Sequence, residues 1–330
     1  MNQPPIGRLR ALRSVELLTP DFADAVDFYE EVWGLEVVEA EHSASWLRGT
    51  GEEHHALRLT RSDTIGLGRL VFALGTPAEV DQAARRLRAR GIALVTEPGP
   101  LDQVGGGYGL RFHDLDGRLI ELSADTWAVT ARGRDASLPV GVTHAVLNTP
   151  DIDASVAFYQ DVLGMRVSDW SEHQMAFLRC GTDHHCVAFN QAPWVSLNHV
   201  AYEMTSLDHF MRGLGRLRHH GITPEWGPGR HGPGNNTFSY FTDPTGLVCE
   251  YTTEVAQIVE DTWICKVWRR TPELSDLWGT AGPPSQRIRA HMTGTPDGSP
   301  VADPLTAPVD APVDVPARTS TGTGTEGAAA

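Results

Sequence analysis

The chain repeats itself, and this repeat limits its possible folds more than any single motif. Residues 19–37 (TPDFADAVDFYEEVWGLEV) align with residues 149–167 (TPDIDASVAFYQDVLGMRV) at an offset of 130, with nine of nineteen positions identical. Chance alone would give roughly one identity. The pair His54-His55 lands on His184-His185 at the same offset. Residues 71–76 (VFALGT) align with 200–205 (VAYEMT), and 114–121 (DLDGRLIE) with 243–250 (DPTGLVCE), both at 129, so one residue has been gained or lost. A period of this size marks a tandem duplication of one supersecondary assembly.

Each copy divides again into two units of about 55 residues. A unit opens with a short apolar strand, as at 143–148, and continues into a helix. The helix over 154–163 carries Val156, Tyr159 and Leu163 on one face, and Gly164 follows where a left-handed cap is expected. Alternating strands at 175–180 and 186–190 close the unit. The fourth unit has its strand at 197–203, its helix over 206–219 ended by Gly221, and strands at 237–241 and 247–252 around the turn DPTG. The predicted class is α+β: four βαβββ modules paired into two domains. The boundaries read from the repeat are 1–132 for a non-catalytic N-terminal domain and 133–292 for a C-terminal domain that ends in a lid segment.

Beyond about Thr293 the composition changes. Pro296, Pro300, Pro304, Pro308, Pro312 and Pro316 recur every four residues, and no aromatic follows Trp278. Residues 293–330 are therefore expected to form a disordered, extended tail, too poor in apolar surface to offset its chain entropy. Acids outnumber bases 42 to 27, a net charge of −15, with no Lys/Arg block, which speaks against a nucleic-acid partner. Runs of 18 apolar residues are lacking, so no membrane span is expected; the opening MNQPPIGRLR has no apolar leader stretch, and a cytoplasmic location is expected. Cys180, Cys186, Cys249 and Cys265 form no C-x-x-C pair and read as reduced thiols.

Chemistry concentrates in one copy. His144 opens the third unit, His199 lies on the first strand of the fourth, and Glu250 on its last strand. Two imidazoles and one carboxylate arranged on one face hold Fe(II) while leaving positions open for substrate and O₂. At the offsets above, the N-terminal copy has Ser14, Leu70 and Glu121 at these places, so only the C-terminal copy can bind the metal. The spacings agree: 56 from Ser14 to Leu70, 55 from His144 to His199, then 51 to each glutamate.

With these residues in view, the sequence resembles the type I extradiol ring-cleaving catechol dioxygenases of the vicinal oxygen chelate superfamily. The resemblance covers about residues 10–280. It rests on His144 in VTHA, on SLNHVAY around His199, on GPGRHG at 227–232 and on FTDPTGLVCEY at 241–251. It implies two tandem vicinal-oxygen-chelate domains, Fe(II) (or Mn(II)) on His144, His199 and Glu250, and a catecholic substrate cleaved with O₂ beside its diol. It further implies that His185 handles protons and that His231 and Tyr240 hydrogen-bond the substrate oxygens. Phe177 and Trp226 are expected to line the cavity, with His184 at the surface. Homo-oligomers are frequent in the family, so one is expected. A glyoxalase-type isomerase or a small-molecule-binding module is the alternative on the same fold. The nearest branch resembles homoprotocatechuate 2,3-dioxygenase, which carries arginines where this chain has Trp226 and Ser275. A neutral catechol is therefore expected, unless Arg230, Arg269 or Arg270 substitutes.

Overall fold

The computed structural model describes residues 4–131, 137–260 and 262–299. Most of the predicted tail, 300–330, lies outside the described residues. Eight strands form a first sheet: β1 (Leu12–Thr19), β2 (Glu36–Ala40), β3 (Ala44–Arg48), β4 (Leu57–Arg61), β5 (Gly66–Ala73), β6 (Leu94–Pro100), β7 (Tyr108–His113) and β8 (Leu119–Ala124). Their order is β2-β3-β4-β1-β5-β8-β7-β6, so two βαβββ modules meet at the antiparallel β1–β5 seam. The crossovers are α1 (Phe22–Asp27), which runs into a π-helical turn at Phe28–Val32, and α2 (Pro77–Ala89).

The second sheet repeats this plan with β9 (Val142–Thr149), β10 (Arg166–Ser171), β11 (Met175–Arg179), β12 (Val187–Gln191), β13 (Ser196–Glu203), β14 (Trp226–Arg230), β15 (Thr237–Thr242) and β16 (Val248–Thr253). Its crossovers are α3 (Ile152–Asp161) and α4 (Leu207–His219). A ninth strand, β17 (Lys266–Trp268), pairs in parallel with β10 at the sheet edge. The chain then makes α5 (Pro272–Ser275) and α6 (Gln286–Thr293). The chain thus folds as four βαβββ modules in two tandem α+β assemblies.

Local chemistry explains most boundaries. The α3 helix starts two residues before the predicted one because Asp151 caps it, its Oδ1 accepting from Ala154 N–H at 3.0 Å. Ser206 caps α4 in the same way, accepting from His209 N–H. The glycines at 164 and 221 take φ of 72° and 78°, the left-handed conformation expected of them.

Each half buries aromatics of the other. Trp33, fully buried, packs its ring 4.0 Å from Tyr251 and against Tyr202 and Phe241. Tyr29 donates to Asp243 of the second half at 3.2 Å, and Tyr159 returns the same bond to Asp114 of the first at 3.0 Å. Burying a large side chain of this kind stabilises by roughly 1.5–3 kcal/mol.

Residues 293–299 correct the predicted tail boundary. The Thr293 carbonyl accepts from Ser196 Oγ at 2.7 Å, and Asp297 N–H donates to the Val195 carbonyl at 2.9 Å, so the chain stays on the fold past the first expected break.

Candidate metal centre

Strand alternation builds the site. On β9, Ala145 and Leu147 enter the main core, so His144 and Val146 face the other way. On β16, Cys249 and Tyr251 enter the core, and Glu250 between them turns the other way, its Oε2 3.2 Å from His144 Nε2. His199 reaches it through a bulge: the β9–β13 register steps from Leu147–Leu197 to Val146–His199, leaving Asn198 as the extra residue. One donor atom from each of His144, His199 and Glu250 lies within 4.8 Å of the others, and all three residues are buried.

Both imidazoles approach Glu250 Oε2 with Nε2 at 3.2 Å. The Asn198 Oδ1 accepts from His199 Nδ1–H at 2.7 Å, and Asn198 in turn donates to Asn148 Oδ1 at 3.1 Å. The bond from His199 Nδ1–H to Asn198 selects the tautomer whose Nε2 lone pair points at the donor set. Glu250 Oε1 and His199 Nε2 are buried without a hydrogen-bond partner, a costly state that a divalent cation relieves. Burial would raise the Glu250 carboxyl, but the two imidazoles pull it down to about 2, so it is anionic and fit to ligate. The donor set therefore suits Fe(II) or Mn(II), with His144, His199 and Glu250 as the metal ligands.

The N-terminal half corrects the sequence alignment. Its register sets Glu16 opposite Arg69, as Val146 stands opposite His199. Arg69, not Leu70, thus occupies the place of His199, while Leu70 is fully buried in the core. The Arg69 guanidinium donates to Glu121 at 2.6 Å and pairs with Glu16 at 2.9 Å. A built-in cation neutralises the glutamate that would otherwise ligate. The helix caps Thr76 and Ser206 still differ by 130, so the one-residue change falls after the helices, before Asp114 and Asp243.

Around the triad, the His185 ring lies 4.3 Å from that of His144 and 5.2 Å from Phe177. Burial, followed by the His144, His184 and His231 rings, holds His185 well below the usual histidine range, hence neutral. His184, expected at the surface, is fully buried. Its Nδ1 sits 3.1 Å from His185 Nδ1, and its Nε2 sits 3.2 Å from Asp169 Oδ2. Asp169 also accepts from Trp268 Nε1 at 2.7 Å and from Lys266 N–H at 2.8 Å. The reason is topological: the segment after β16 returns along this edge, with the Ala256 carbonyl accepting from His184 N–H at 2.8 Å and the Trp263 ring 5.4 Å from that of His184.

His231 Nδ1–H donates to the Ser275 carbonyl at 3.0 Å, leaving Nε2 to accept from Tyr240 Oη at 2.9 Å. Tyr240 sets its ring edge to face with His199 at 5.1 Å and stacks on Trp226. Trp226 gives its N–H to the Gly282 carbonyl at 2.8 Å, so only its ring face remains for a ligand. Phe177, Trp226, His185, His231 and Tyr240 all line one cavity of about 580 Å³ with His144 and His199.

Asn198, Asp169, Met292 and Thr293 were not picked out from sequence. Asn198 stands beside a ligand in SLNH, and a polar residue there was a readable signal. The others depend on how the segment after Glu254 folds back, for which the sequence offered no pattern.

The Glyoxalase/Bleomycin resistance protein/Dioxygenase superfamily profile matches residues 11–122 and 141–251, one match in each half. The chain belongs to this superfamily. A relative in it, metapyrocatechase 2 of Cupriavidus necator, is 30% identical over 196 residues, which is 53% of this chain and 60% of that protein. The chain thus matches somewhat under two thirds of that relative's length. A solved superfamily structure, described as the Mn(II)-bound glyoxalase from Novosphingobium aromaticivorans, is 40% identical with a TM-score of 0.81, covering 85% of this chain and 94% of that one. The homoprotocatechuate 2,3-dioxygenase of Arthrobacter globiformis shares the fold at 24% identity and a TM-score of 0.78, covering 88% and 92%.

Proposed function

We propose that the chain is an extradiol dioxygenase that opens the ring of a catechol beside its diol with O₂, giving a muconic semialdehyde-type product. The observation that carries this reading is the three-donor centre with a neutral histidine against one ligand: His185 is 4.3 Å, ring to ring, from His144. When bound at His144, His199 and Glu250, Fe(II) or Mn(II) supplies a Lewis-acidic, redox-active centre with positions open to both catechol oxygens and O₂.

The chain's own residues do the rest. His185 holds a free lone pair because burial keeps it neutral, so it takes a hydroxyl proton from the catechol and returns one as the ring opens. Tyr240 donates to His231, which is anchored on the Ser275 carbonyl, and together they present a fixed polar edge to the substrate oxygens. Val146 and Phe177 pack the apolar floor and exclude water from the ring.

A metal-dependent isomerase of glyoxalase type is the second reading, prompted by the description of the Novosphingobium structure. Three protein donors on one face, with open space opposite, favour the oxygen chemistry. Loading the protein anaerobically with Fe(II) or Mn(II), adding a catechol and admitting air tests the choice. A yellow ring-cleavage product with one O₂ consumed per catechol is expected. His199→Ala should remain folded, hold little metal and form no product. Full metal and activity in that variant would overturn the ligand set; no O₂ uptake by the wild type with any catechol would overturn the dioxygenase.

A further inference from the structure

Two sulfurs meet beside the loop that carries His185, and the proposed reaction makes no use of them. Cys180 follows β11 and Cys186 precedes β12, and their Sγ atoms stand 3.3 Å apart. Both are free thiols; Cys186 is buried in the main core, and Cys180 is half-buried at its edge. The loop between them, 181–185, bears His184 and His185. The other two cysteines stand apart from this pair: Cys249 is buried with its Sγ toward the Phe241 carbonyl, and Cys265 is exposed.

The repeat sets the pair apart from the rest of the fold. Cys186 N–H donates to the Leu178 carbonyl at 2.9 Å, and Ala56 N–H donates to the Leu47 carbonyl at 2.9 Å. Cys186 therefore answers to Ala56, and Cys180, two residues past Leu178, answers to Gly49. Thiols stand at both places in the half that holds the metal ligands and at neither in the other half.

We propose that Cys180 and Cys186 are a site of reversible oxidation: a hydroperoxide closes them to a disulfide across the mouth of the His185 loop, and the bridge slows turnover. A disulfide holds its sulfurs about 2.05 Å apart, so the two close by about 1.2 Å, a distance that side-chain rotation supplies. Cys180, the more exposed sulfur, meets the oxidant first. It attacks one peroxide oxygen, the O–O bond breaks, and the departing oxygen leaves as water with the thiol proton. Cys180 then carries a sulfenic acid, which the Cys186 sulfur attacks. The S–O bond breaks as the S–S bond forms, and a second water leaves with the Cys186 proton. With hydrogen peroxide, two thiols and one peroxide thus give one disulfide and two waters; the sulfurs lose two electrons and the peroxide gains them. Where thiols are otherwise kept reduced, such a bridge is transient and redox-sensing rather than structural.

The bridge stands on the geometry of the pair alone, while its effect on rate rests on the role given to His185 above. Cys186 is the next residue after His185, whose ring lies 4.3 Å from that of His144. The loop is held from outside, the Thr182 carbonyl accepting from Ile258 N–H at 2.6 Å and His184 N–H donating to the Ala256 carbonyl at 2.8 Å. Movement at Cys186 therefore passes to His185, and a misplacement of about 1 Å at a catalytic group costs up to about a hundredfold in rate.

The test oxidises the Mn(II)-loaded enzyme with hydrogen peroxide and, in parallel, with diamide, a diazene that takes two electrons and two protons from paired thiols and spares the metal. Peptide mapping without reduction should find Cys180 joined to Cys186, with Cys249 and Cys265 still free. The metal should stay bound, kcat should fall by about tenfold or more with KM little changed, and dithiothreitol should restore it. Cys180→Ser, at the half-buried position, should match the reduced wild type and ignore diamide, whereas Cys265→Ser should respond as the wild type does. Oxidation without a link between Cys180 and Cys186, or with links through Cys249 or Cys265 instead, would overturn the site. A complete link that leaves kcat unchanged would overturn its control of the rate. A link formed in a protein that turns over no catechol would keep the thiol site and remove the dioxygenase. Ring cleavage with no link under either oxidant would do the reverse.

Discussion

At the scale of single residues, the site depends on histidines whose protonation is set by what their second nitrogen touches. His199 is oriented by Asn198, His231 by the Ser275 carbonyl, and His185 by His184, which leans on Asp169. His185→Gln should therefore keep full metal stoichiometry yet lower kcat by about 10²–10⁴, the usual contribution of a positioned acid–base group. Metal analysis beside steady-state rates checks this; loss of metal in the variant would make His185 a ligand instead. The ligands themselves were legible in the sequence because the duplication shows which copy retains them. The identity of the residue replacing His199 was not. A bulge on β5 and another on β13 keep the offset at 130 through this strand, and a local match at 129 pointed to Leu70 where Arg69 stands. Sequence similarity on a strand cannot tell which face a residue takes once a bulge intervenes.

Among the elements, the turns joining β7 to β8 and β15 to β16 do unequal work despite their common origin. Asp114 has Arg118 four residues on, in a buried ion pair at 3.2 Å. Asp243 has Leu247 at that place and is left with uncharged donors alone: the Tyr29 hydroxyl, Thr245 and the Leu247 N–H. Burial, only partly offset by these donors, pushes the Asp243 carboxyl up to about 6. The folded state thus holds this proton more tightly than the unfolded chain, whose carboxyl titrates near 3.9. Its stabilising share is complete below about pH 4 and is lost as pH rises through about 6, a change of about 3 kcal/mol by linkage. Asp243→Asn keeps an acceptor for the two N–H groups and offers its amide to Tyr29. The variant's unfolding free energy should fall less than the wild type's between pH 4 and 6.5, and at pH 7.5 should equal or exceed it. Urea titrations across that range decide; parallel curves would mean that Asp243 ionises normally. Here the helices and central strands were readable from periodicity and caps, within two residues for α3. Strands β14 and β17 were not: Trp226–Arg230 reads as a Gly/Pro motif, and three residues at 266–268 have no alternation to detect.

For the whole molecule, the question is where the folded chain ends. Composition placed the break at Thr293, since proline recurs every four residues and no aromatic follows Trp278. Composition cannot register backbone groups, and these carry the chain further. The Thr293 carbonyl takes bonds from Ser196 Oγ, Asn148 Nδ2 and Trp194 Nε1 at 2.7, 3.2 and 3.2 Å, and Asp297 N–H closes on Val195. Asn148 is fully buried and also donates to the Met292 carbonyl and accepts from Asn198, the residue that orients His199. The end of α6 is therefore wired to a metal ligand through two asparagines. A chain stopped after Ser299 keeps all of these bonds, and its melting temperature and kcat should match those of the full chain. A chain stopped after Met292 puts a terminal carboxylate where the next peptide ran and leaves Ser196 and Trp194 without their acceptor. Each donor so stranded costs about 1–3 kcal/mol if it stays dry. For a domain of this size the melting temperature should drop by roughly 2–4 °C per kcal/mol. Met292 and Thr293 also line the cavity, so KM should rise in the shorter chain even at temperatures where it is folded. Calorimetry and steady-state kinetics on the two truncations give the answer: if both matched the full chain, residues 293–299 would belong to the tail, and if both failed, the fold would need residues beyond Ser299.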